Sequence, residues 1–381
     1  MAINKCGEQL MVMNRGSIVL AAIGLILFLF SANIASAENE SASESYQQVI
    51  KNYSKAIELN PKDADSYYHR GNTYAELGDY QQAISDYSKA IELNPKYADS
   101  YYHRGNAYAE LGDNQQAIND YNKALKLNPK NAEAYYSRAF AYKDLGNYQQ
   151  AINDYSKAIE LNPKYAVAYA NRGSAYNKSG NHQQAISDYS KAIELSPKLA
   201  ETFNNRGSAY YDLGNYKQAI NDFNKAVELN PKYAEAYYNR AHDYKDLGNY
   251  QQAINDYSKA IELNLKLSEA YIARWNALYD VENHRRAIID FNKAVELNPK
   301  LILAYINRAN VYDVLKKYQL AIKDYNKALK LNPNNADVYF WRGLDYNALG
   351  NNTKSIQNLN KAAQLGHKEA QQYLSSHGMQ W

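Results

Sequence analysis

The chain has 381 residues, a formal net charge of +3 and a pI of about 8.4, so basic and acidic residues nearly balance. This balance argues against nucleic acid as a partner, because a nucleic-acid-binding protein usually has a concentrated basic face. The single cysteine, Cys6, cannot form a disulfide within the chain, no Cys/His metal spacing occurs, and we predict no metal and no cofactor.

Residues 1–37 have the pattern of a secretory signal peptide. Two basic residues precede the apolar run 18–30, and the Ala-Ser-Ala sequence at 35–37 gives a small-residue cleavage site before Glu38. We therefore predict an exported protein, periplasmic or secreted, with no stable membrane span after signal cleavage. The alternative is an uncleaved N-terminal anchor, since this segment is just long enough to span a bilayer.

The rest of the chain is built from a 34-residue repeat. Residues 64–97 and 98–131 have nearly the same sequence, and a fixed period of this length is typical of a stacked helical array. After a polar linker at 38–45, residues 46–63 match only the second half of a unit, which predicts an N-terminal half-repeat cap. The segments that follow are eight units over 64–335, a degenerate ninth unit at 336–369, and a C-terminal capping helix and tail at 370–381.

The residue pattern of each unit predicts two helices joined by a turn. Positions four, seven, eight and 11 share one face of a first helix, and positions 20, 24 and 27 share one face of a second. The first helix should end at a glycine such as Gly78, because glycine readily takes the left-handed conformation that closes a helix. The second should end before a proline such as Pro95, because the residue before proline is pushed out of the helical region.

These residues resemble the tetratricopeptide repeat (TPR). The unit has an aromatic residue at position four (Tyr67), a small one at eight (Gly71), tyrosine at 11 (Tyr74), alanine at 20 (Ala83) and proline at 32 (Pro95). The resemblance implies an all-α fold: a right-handed TPR superhelix, or α-solenoid, of about nine helix-turn-helix repeats with terminal capping helices.

Two charged positions recur through the array. Position seven is arginine in all nine full units, and position 23 is aspartate in the first eight. A planar guanidinium suits a partly buried carboxylate, so we predict structural ion pairs between packed helices. The alternative is a row of arginines that binds anions. The candidate pairs are Arg70 with Asp86, Arg104 with Asp120, and Arg138 with Asp154.

The resemblance also implies a ligand-binding concave face, formed by positions two, five, six, nine, 12 and 13 of the first helices, which we call the groove positions. An asparagine amide both donates and accepts hydrogen bonds, so asparagines there can hold a peptide backbone regardless of its sequence. The alternative is that duplication simply copied polar residues. The candidates are Tyr68, Asn72, Tyr102, Asn106, Tyr136, Asp144, Asn171, Asn205, Asp212, Tyr238, Asn239, Asp246, Asn276, Asn307 and Asn310.

Position 13 carries an acid in six units, among them Asp144, Asp212 and Asp246. These acids lie in the last turn of a predicted helix, where the helix dipole disfavours negative charge. We therefore expect an acidic groove that prefers a neutral or basic partner.

Unit seven departs most from the pattern. Trp275 occupies the small position, and Arg285 and Arg286 replace the usual pair of glutamines. One interpretation is drift with local repacking around the tryptophan. The other is a bend or a docking point, since tryptophan and arginine are enriched in interface hot spots.

No residue pattern supports catalysis. The sequence has no glycine-rich phosphate loop, no nucleophile elbow and no HExxH motif, and we predict that the protein is not an enzyme. The leading interpretation is an exported scaffold that binds proteins or extended peptides in its groove. The alternative is an accessory protein that binds envelope polysaccharide or another glycan, because exposed tyrosines can stack on sugars. The oligomeric state is left open.

Overall fold

The structure, a computed structural model, describes residues 44–264, 268–279 and 284–381. In these ranges every regular element is a helix, which confirms the all-α prediction. None of the helices there is both long enough and apolar enough to cross a membrane. The predicted signal peptide at 1–37 lies outside the described residues, so its cleavage stays a prediction.

The first of two compact units ends at Lys164 and contains seven helices among its described residues. Within this unit, each helix from α2 to α6 packs against the next one in the chain. The helices are α1 (44–59), α2 (Ala64–Glu76), α3 (Tyr80–Leu93), α4 (Ala98–Glu110), α5 (Asn114–Leu127), α6 (Ala132–Asp144) and α7 (Tyr148–Leu161).

The second unit begins at Tyr165 and repeats the same arrangement of paired helices. Its helices are α8 (Ala166–Lys178), α9 (His182–Leu195), α10 (Ala200–Asp212), α11 (Tyr216–Leu229), α12 (Ala234–Asp246), α13 (Tyr250–Leu263), α14 (Ser268–Tyr279), α15 (His284–Leu297), α16 (Ile302–Val314), α17 (Tyr318–Leu331), α18 (Ala336–Ala348), α19 (Asn352–Gln364) and α20 (Lys368–Ser376).

The turn inside a repeat has a left-handed residue at position 15 in all full repeats except the seventh, whose position 15 lies outside the described residues. Gly112 has a φ of 80° there, directly after α4. Lys316 takes the same position in repeat eight and has a φ of 56°, the one positive φ of a non-glycine residue in the described chain. A side chain with a Cβ is strained in this region by about 1–2 kcal/mol.

We expect Lys316→Gly to stabilise the protein by about 1 kcal/mol, because the substitution removes this backbone strain. Gly112→Lys, the reverse change at the matching position of repeat two, should destabilise it by a similar amount. Urea unfolding of both variants checks the pair. Equal effects of the same sign would contradict the explanation.

The core of each repeat is formed by positions 20, 24 and 27 of its second helix. In the first full repeat Ala83, Tyr87 and Ala90 are at most 1% exposed. A Cβ built on Gly71 would lie 2.9 Å from Cε1 of Tyr87, so glycine at position eight lets the two helices approach closely. In the same repeat Tyr67 and Tyr74, at positions four and 11, are half-buried.

Helix α1 packs on the first full repeat in the way a second helix packs on its successor. The rings of Tyr53 and His69 stack at 5.6 Å between centroids, and Nη1 of Arg70 donates a 2.9 Å hydrogen bond to Ser54. At the other end, Leu374 of α20 is fully buried in a cluster with Leu359 of α19. Both terminal helices therefore cover apolar surface of the adjacent repeat.

Repeat seven accommodates its tryptophan inside the core. Trp275 is 8% exposed, and its ring centroid lies 4.7 Å from that of the fully buried Phe291. The indole is therefore a packing residue and does not offer an exposed hot spot. Arg285 and Arg286 are exposed.

Candidate functional site

Each position-seven arginine in the first eight repeats contacts the position-23 aspartate of its own repeat. Nε and Nη2 of Arg138 donate to Oδ2 and Oδ1 of Asp154 at 2.6 and 2.7 Å, which is a bidentate pair. Arg70 with Asp86 and Arg104 with Asp120 have the same geometry. The other such pairs are Arg172–Asp188, Arg206–Asp222, Arg240–Asp256, Arg274–Asp290 and Arg308–Asp324.

Arg104 also contacts the preceding repeat, a contact that was not predicted from the sequence. Nη1 of Arg104 donates to Ser88 at 2.9 Å, and its guanidinium carbon lies 5.8 Å from the centroid of the Tyr101 ring. The sequence does contain a signal for this contact, because position 25, which supplies the acceptor, is serine or asparagine in every full unit. The edge of the guanidinium that would bind an anion is already occupied by Asp120, so this geometry gives no support to an anion-binding arginine row.

Repeat nine provides a natural variant of this contact. Arg342 donates through Nε to Oδ1 of Asn358 at 2.8 Å, and no carboxylate in the described chain forms a salt bridge with it. Burial lowers the pKa of Arg342 below its ordinary value. In Arg70, by contrast, the hydrogen bond to Asp86 raises the pKa.

The asparagines at position nine are used inside the repeat. Asn72, Asn106 and Asn310 each accept a hydrogen bond from the buried position-24 tyrosine of the same repeat, at 2.6–2.8 Å. Their amide oxygens therefore have a structural partner. This weakens the prediction that asparagines at position nine hold a peptide backbone. Asn276, where position 24 is phenylalanine, is exposed.

The tyrosine and asparagine candidates at positions five and six lie on the first helices of their repeats. Tyr68, Tyr102, Tyr136 and Tyr238 are half-buried, with ring centroids 5.6–6.1 Å from those of the position-24 tyrosines. At position six, Asn171 donates to the carbonyl of Val167, and Asn239 donates to the buried Asn204 at 3.0 Å. Asn205 and Asn307 are half-buried.

Two cavities open at these groove positions, one in each unit. The first, of about 580 Å³, is lined by residues of α4, α5 and α6, including Asn106, Tyr136 and Asp144. The second, of about 330 Å³, is lined by residues of α10, α11 and α12, including Asp212, Tyr238 and Asn239. Both use positions nine, 12, 13 and 24 of one repeat and positions five, six and nine of the next. The structure thus brings six of the predicted groove residues to two equivalent sites.

Ionisable groups beside the second cavity are perturbed by burial. Burial lowers the pKa of His242, so its imidazole is uncharged at neutral pH. Burial, with a hydrogen bond to Asp246, raises the pKa of Tyr211 to about 12. Asp243, which is fully buried, has its pKa raised to about 7 by burial and by the nearby Asp246, and neither of its carboxylate oxygens has a hydrogen-bond partner.

The sequence analysis missed Asp243, although position ten is alanine in five other repeats. In repeat nine Asp345 also occupies position ten, is 1% exposed, and has its pKa raised by burial and by a hydrogen bond with Asp313. Among the described residues, no group of three or more histidine, cysteine, aspartate or glutamate side chains is placed to hold a metal ion.

Family models match most of the repeats. One described as TPR repeat matches residues 71–112, 105–146 and 173–214. Two described as tetratricopeptide repeat match residues 132–165, 200–233, 234–266 and 302–335, and residues 52–85, 155–187 and 324–357. Together they extend over 52–266 and 302–357, which is more than half of the chain, so the protein belongs to the tetratricopeptide repeat family.

Solved structures include similar proteins. A tetratricopeptide repeat protein from Parabacteroides merdae ATCC 43184 is 23% identical with a TM-score of 0.50, over 65% of this chain and 98% of that one, and shows the same fold. MamA is 31% identical with a TM-score of 0.42, over 45% of this chain and 94% of its own. YrrB, described as a TPR protein with an unusual peptide-binding site, is 28% identical with a TM-score of 0.45, over 48% and 95%. Comparison with curated proteins found no match.

Proposed function

We propose that this protein is an exported, non-catalytic scaffold that binds an extended segment of another protein at its groove positions. The observation that carries the proposal is the recurrence of a cavity at equivalent positions in both units. Each cavity combines aromatic rings, amide groups and an aspartate at position 13. Concave sites that combine apolar side chains with a few polar groups are typical of binding sites.

The charge of these sites favours a neutral or basic segment. Asp144 lines the first cavity and Asp212 the second, and both are exposed. Asp246 accepts a 2.9 Å hydrogen bond from the Tyr211 hydroxyl, so part of its hydrogen-bonding capacity is used internally. Acidic side chains at an interface attract positive partners and reject negative ones.

Export is proposed from the signal pattern at 1–37 alone. We expect the exported protein to start at Glu38, and N-terminal sequencing or the intact mass of the exported form measures this directly. An exported form that retains the apolar run would instead indicate an anchored protein.

We expect partner binding to weaken as salt rises, and to weaken further when Asp144, Asp212 and Asp246 are changed to asparagine, since exposed charges are screened over about 8 Å at physiological ionic strength. The partner is first captured by crosslinking in an envelope extract, then titrated as a purified protein at low and high salt. A matched control changes Glu92, Glu160 and Glu194 to glutamine, which removes the same charge from exposed second-helix positions.

An affinity that depends neither on salt nor on the three aspartates would contradict the prediction of an acidic groove.

The glycan alternative predicts a different outcome. In that case the protein would bind polysaccharide arrays and would capture no protein specifically. The half-burial of Tyr68, Tyr102, Tyr136 and Tyr238 leaves less ring surface for sugars than the sequence alone suggested.

A further inference from the structure

The cavity in the second unit has a composition that suits a cation. We propose that it binds one positively charged side chain, lysine or arginine, of the segment held at the groove positions. This inference rests on the proposed function and narrows it, because it assigns one residue class of the partner to one cavity.

Aromatic rings form much of the cavity wall. Tyr211, Phe223 and Tyr238 line it, and His242 packs edge-on against Tyr238 with 4.7 Å between ring centroids. Position 24 is phenylalanine here, so this wall lacks the hydroxyl that Tyr121 contributes to the first cavity. Aromatic faces attract lysine and arginine, and most strongly where water is excluded. The imidazole of His242, which is uncharged, does not oppose a cation.

Carboxylates outnumber cations around this cavity. Asp212 lines it with a side chain that is 40% exposed, and Asp246 lies beside it through its bond to Tyr211. Asp243 is fully buried and interacts electrostatically with Tyr211. The neighbouring basic residues are Lys245, whose Nζ is 3.3 Å from Asp246, and His182, whose Nδ1 is 3.6 Å from Asp212. The local charge is therefore negative.

The equivalent cavity in the first unit holds a cation of its own. Nζ of Lys143 lies 4.3 Å from the ring centroid of Phe140, a residue of that cavity's wall. In the second unit His242 occupies the position of Phe140, and Lys245, at the position of Lys143, directs its amine to Asp246 instead. The second cavity thus has aromatic rings and a carboxylate, but no lysine of the chain itself stacks on one of those rings.

The test is a selection of random nonapeptides displayed on phage against the full-length protein, followed by titration of the synthetic peptides selected. We expect lysine or arginine to be enriched at one position. Replacing it by norleucine should weaken binding about tenfold, which corresponds to about 1.4 kcal/mol. Asp212→Asn should reduce that preference about threefold, as expected for one exposed charge.

Two further variants separate the site from general effects. Glu110→Gln makes the matching change at position 13 of the first cavity and should leave the preference intact. Tyr238→Leu should weaken it, and circular dichroism verifies that this variant stays folded. If the selected peptides share no basic residue, or if the preference for a basic residue is unchanged in Asp212→Asn and Tyr238→Leu, the inference is wrong while the peptide-binding function stands. If no peptide is enriched, both fail.

Discussion

Replacing Arg138 by alanine is expected to destabilise the protein by about 3 kcal/mol, although it touches no groove position. Breaking a buried ion pair by removing one partner costs about 3–5 kcal/mol, because the remaining charge is left buried without compensation. The side chains of Arg138 and Asp154 are 17% and 11% exposed, which places the expected cost at the low end of that range. Urea unfolding at pH 7 measures it.

Two controls test the origin of this cost. The double variant Arg138→Met, Asp154→Leu should recover most of the stability, since apolar replacement of both partners is often neutral or favourable. Arg342→Ala should cost only about 1 kcal/mol, because it leaves a neutral asparagine rather than a carboxylate. If the double variant were as unstable as Arg138→Ala, the uncompensated carboxylate of Asp154 would not be the source of the cost, and the ion-pair explanation would be wrong.

Replacing Asp243 by alanine is expected to stabilise the protein at pH 8 by about 2–4 kcal/mol. Each pKa unit of difference between the folded and unfolded states corresponds to about 1.4 kcal/mol. The pKa of Asp243 is about 7 in the folded protein against 3.8 ordinarily. The side chain is fully buried, and alanine occupies the same position, also buried, in Ala209 and Ala277.

The direction of the pH dependence follows from the raised pKa. Below about pH 4 both states bind the proton, and the carboxyl group adds no penalty. Between about pH 4 and 7 the unfolded chain releases the proton while the folded protein keeps it, so stability falls as pH rises. Above pH 7 both states are ionised, and the penalty is complete. Asp243→Ala should flatten this part of the stability curve.

The measurement is urea unfolding of wild type and variant at half-unit intervals from pH 4.5 to 8.5. Asp345 titrates in an overlapping range, so the informative quantity is the difference between the two curves. Asp212→Asn, which changes an exposed acid in the same unit, should give a curve parallel to that of wild type. A variant that is less stable than wild type at pH 8 would show that the Asp243 carboxylate has a favourable role.

The helices were predictable because local chemistry fixes their ends. Glycine at position 15 and proline at position 32 set the boundaries, as at Gly112 and Pro95. The placement of Tyr87 in the core also follows from the 3.6-residue period. Periodicity identifies a helix face, but it does not tell which polar atoms on that face bond to each other.

The candidate site was less predictable for this reason. Asn72 belongs to a groove position by spacing, yet its amide oxygen accepts from Tyr87, a residue of the other helix. The contact of Arg104 with Ser88 crosses from one repeat to the preceding one. Such pairings depend on the distance between packed helices. The buried position of Asp243 was readable in principle, because an acid replaces alanine at an otherwise apolar position.

The hydrogen bond from a position-seven arginine to the serine or asparagine of the preceding repeat has a consequence for how such a chain can change over generations. The acceptor precedes the arginine by the same 16 residues at Arg70, Arg104 and Arg206. Any repeat can therefore follow any other without leaving a guanidinium unmatched. Recombination that adds or removes whole repeats would conserve this spacing, whereas an insertion between an acceptor and the arginine that follows it would change it.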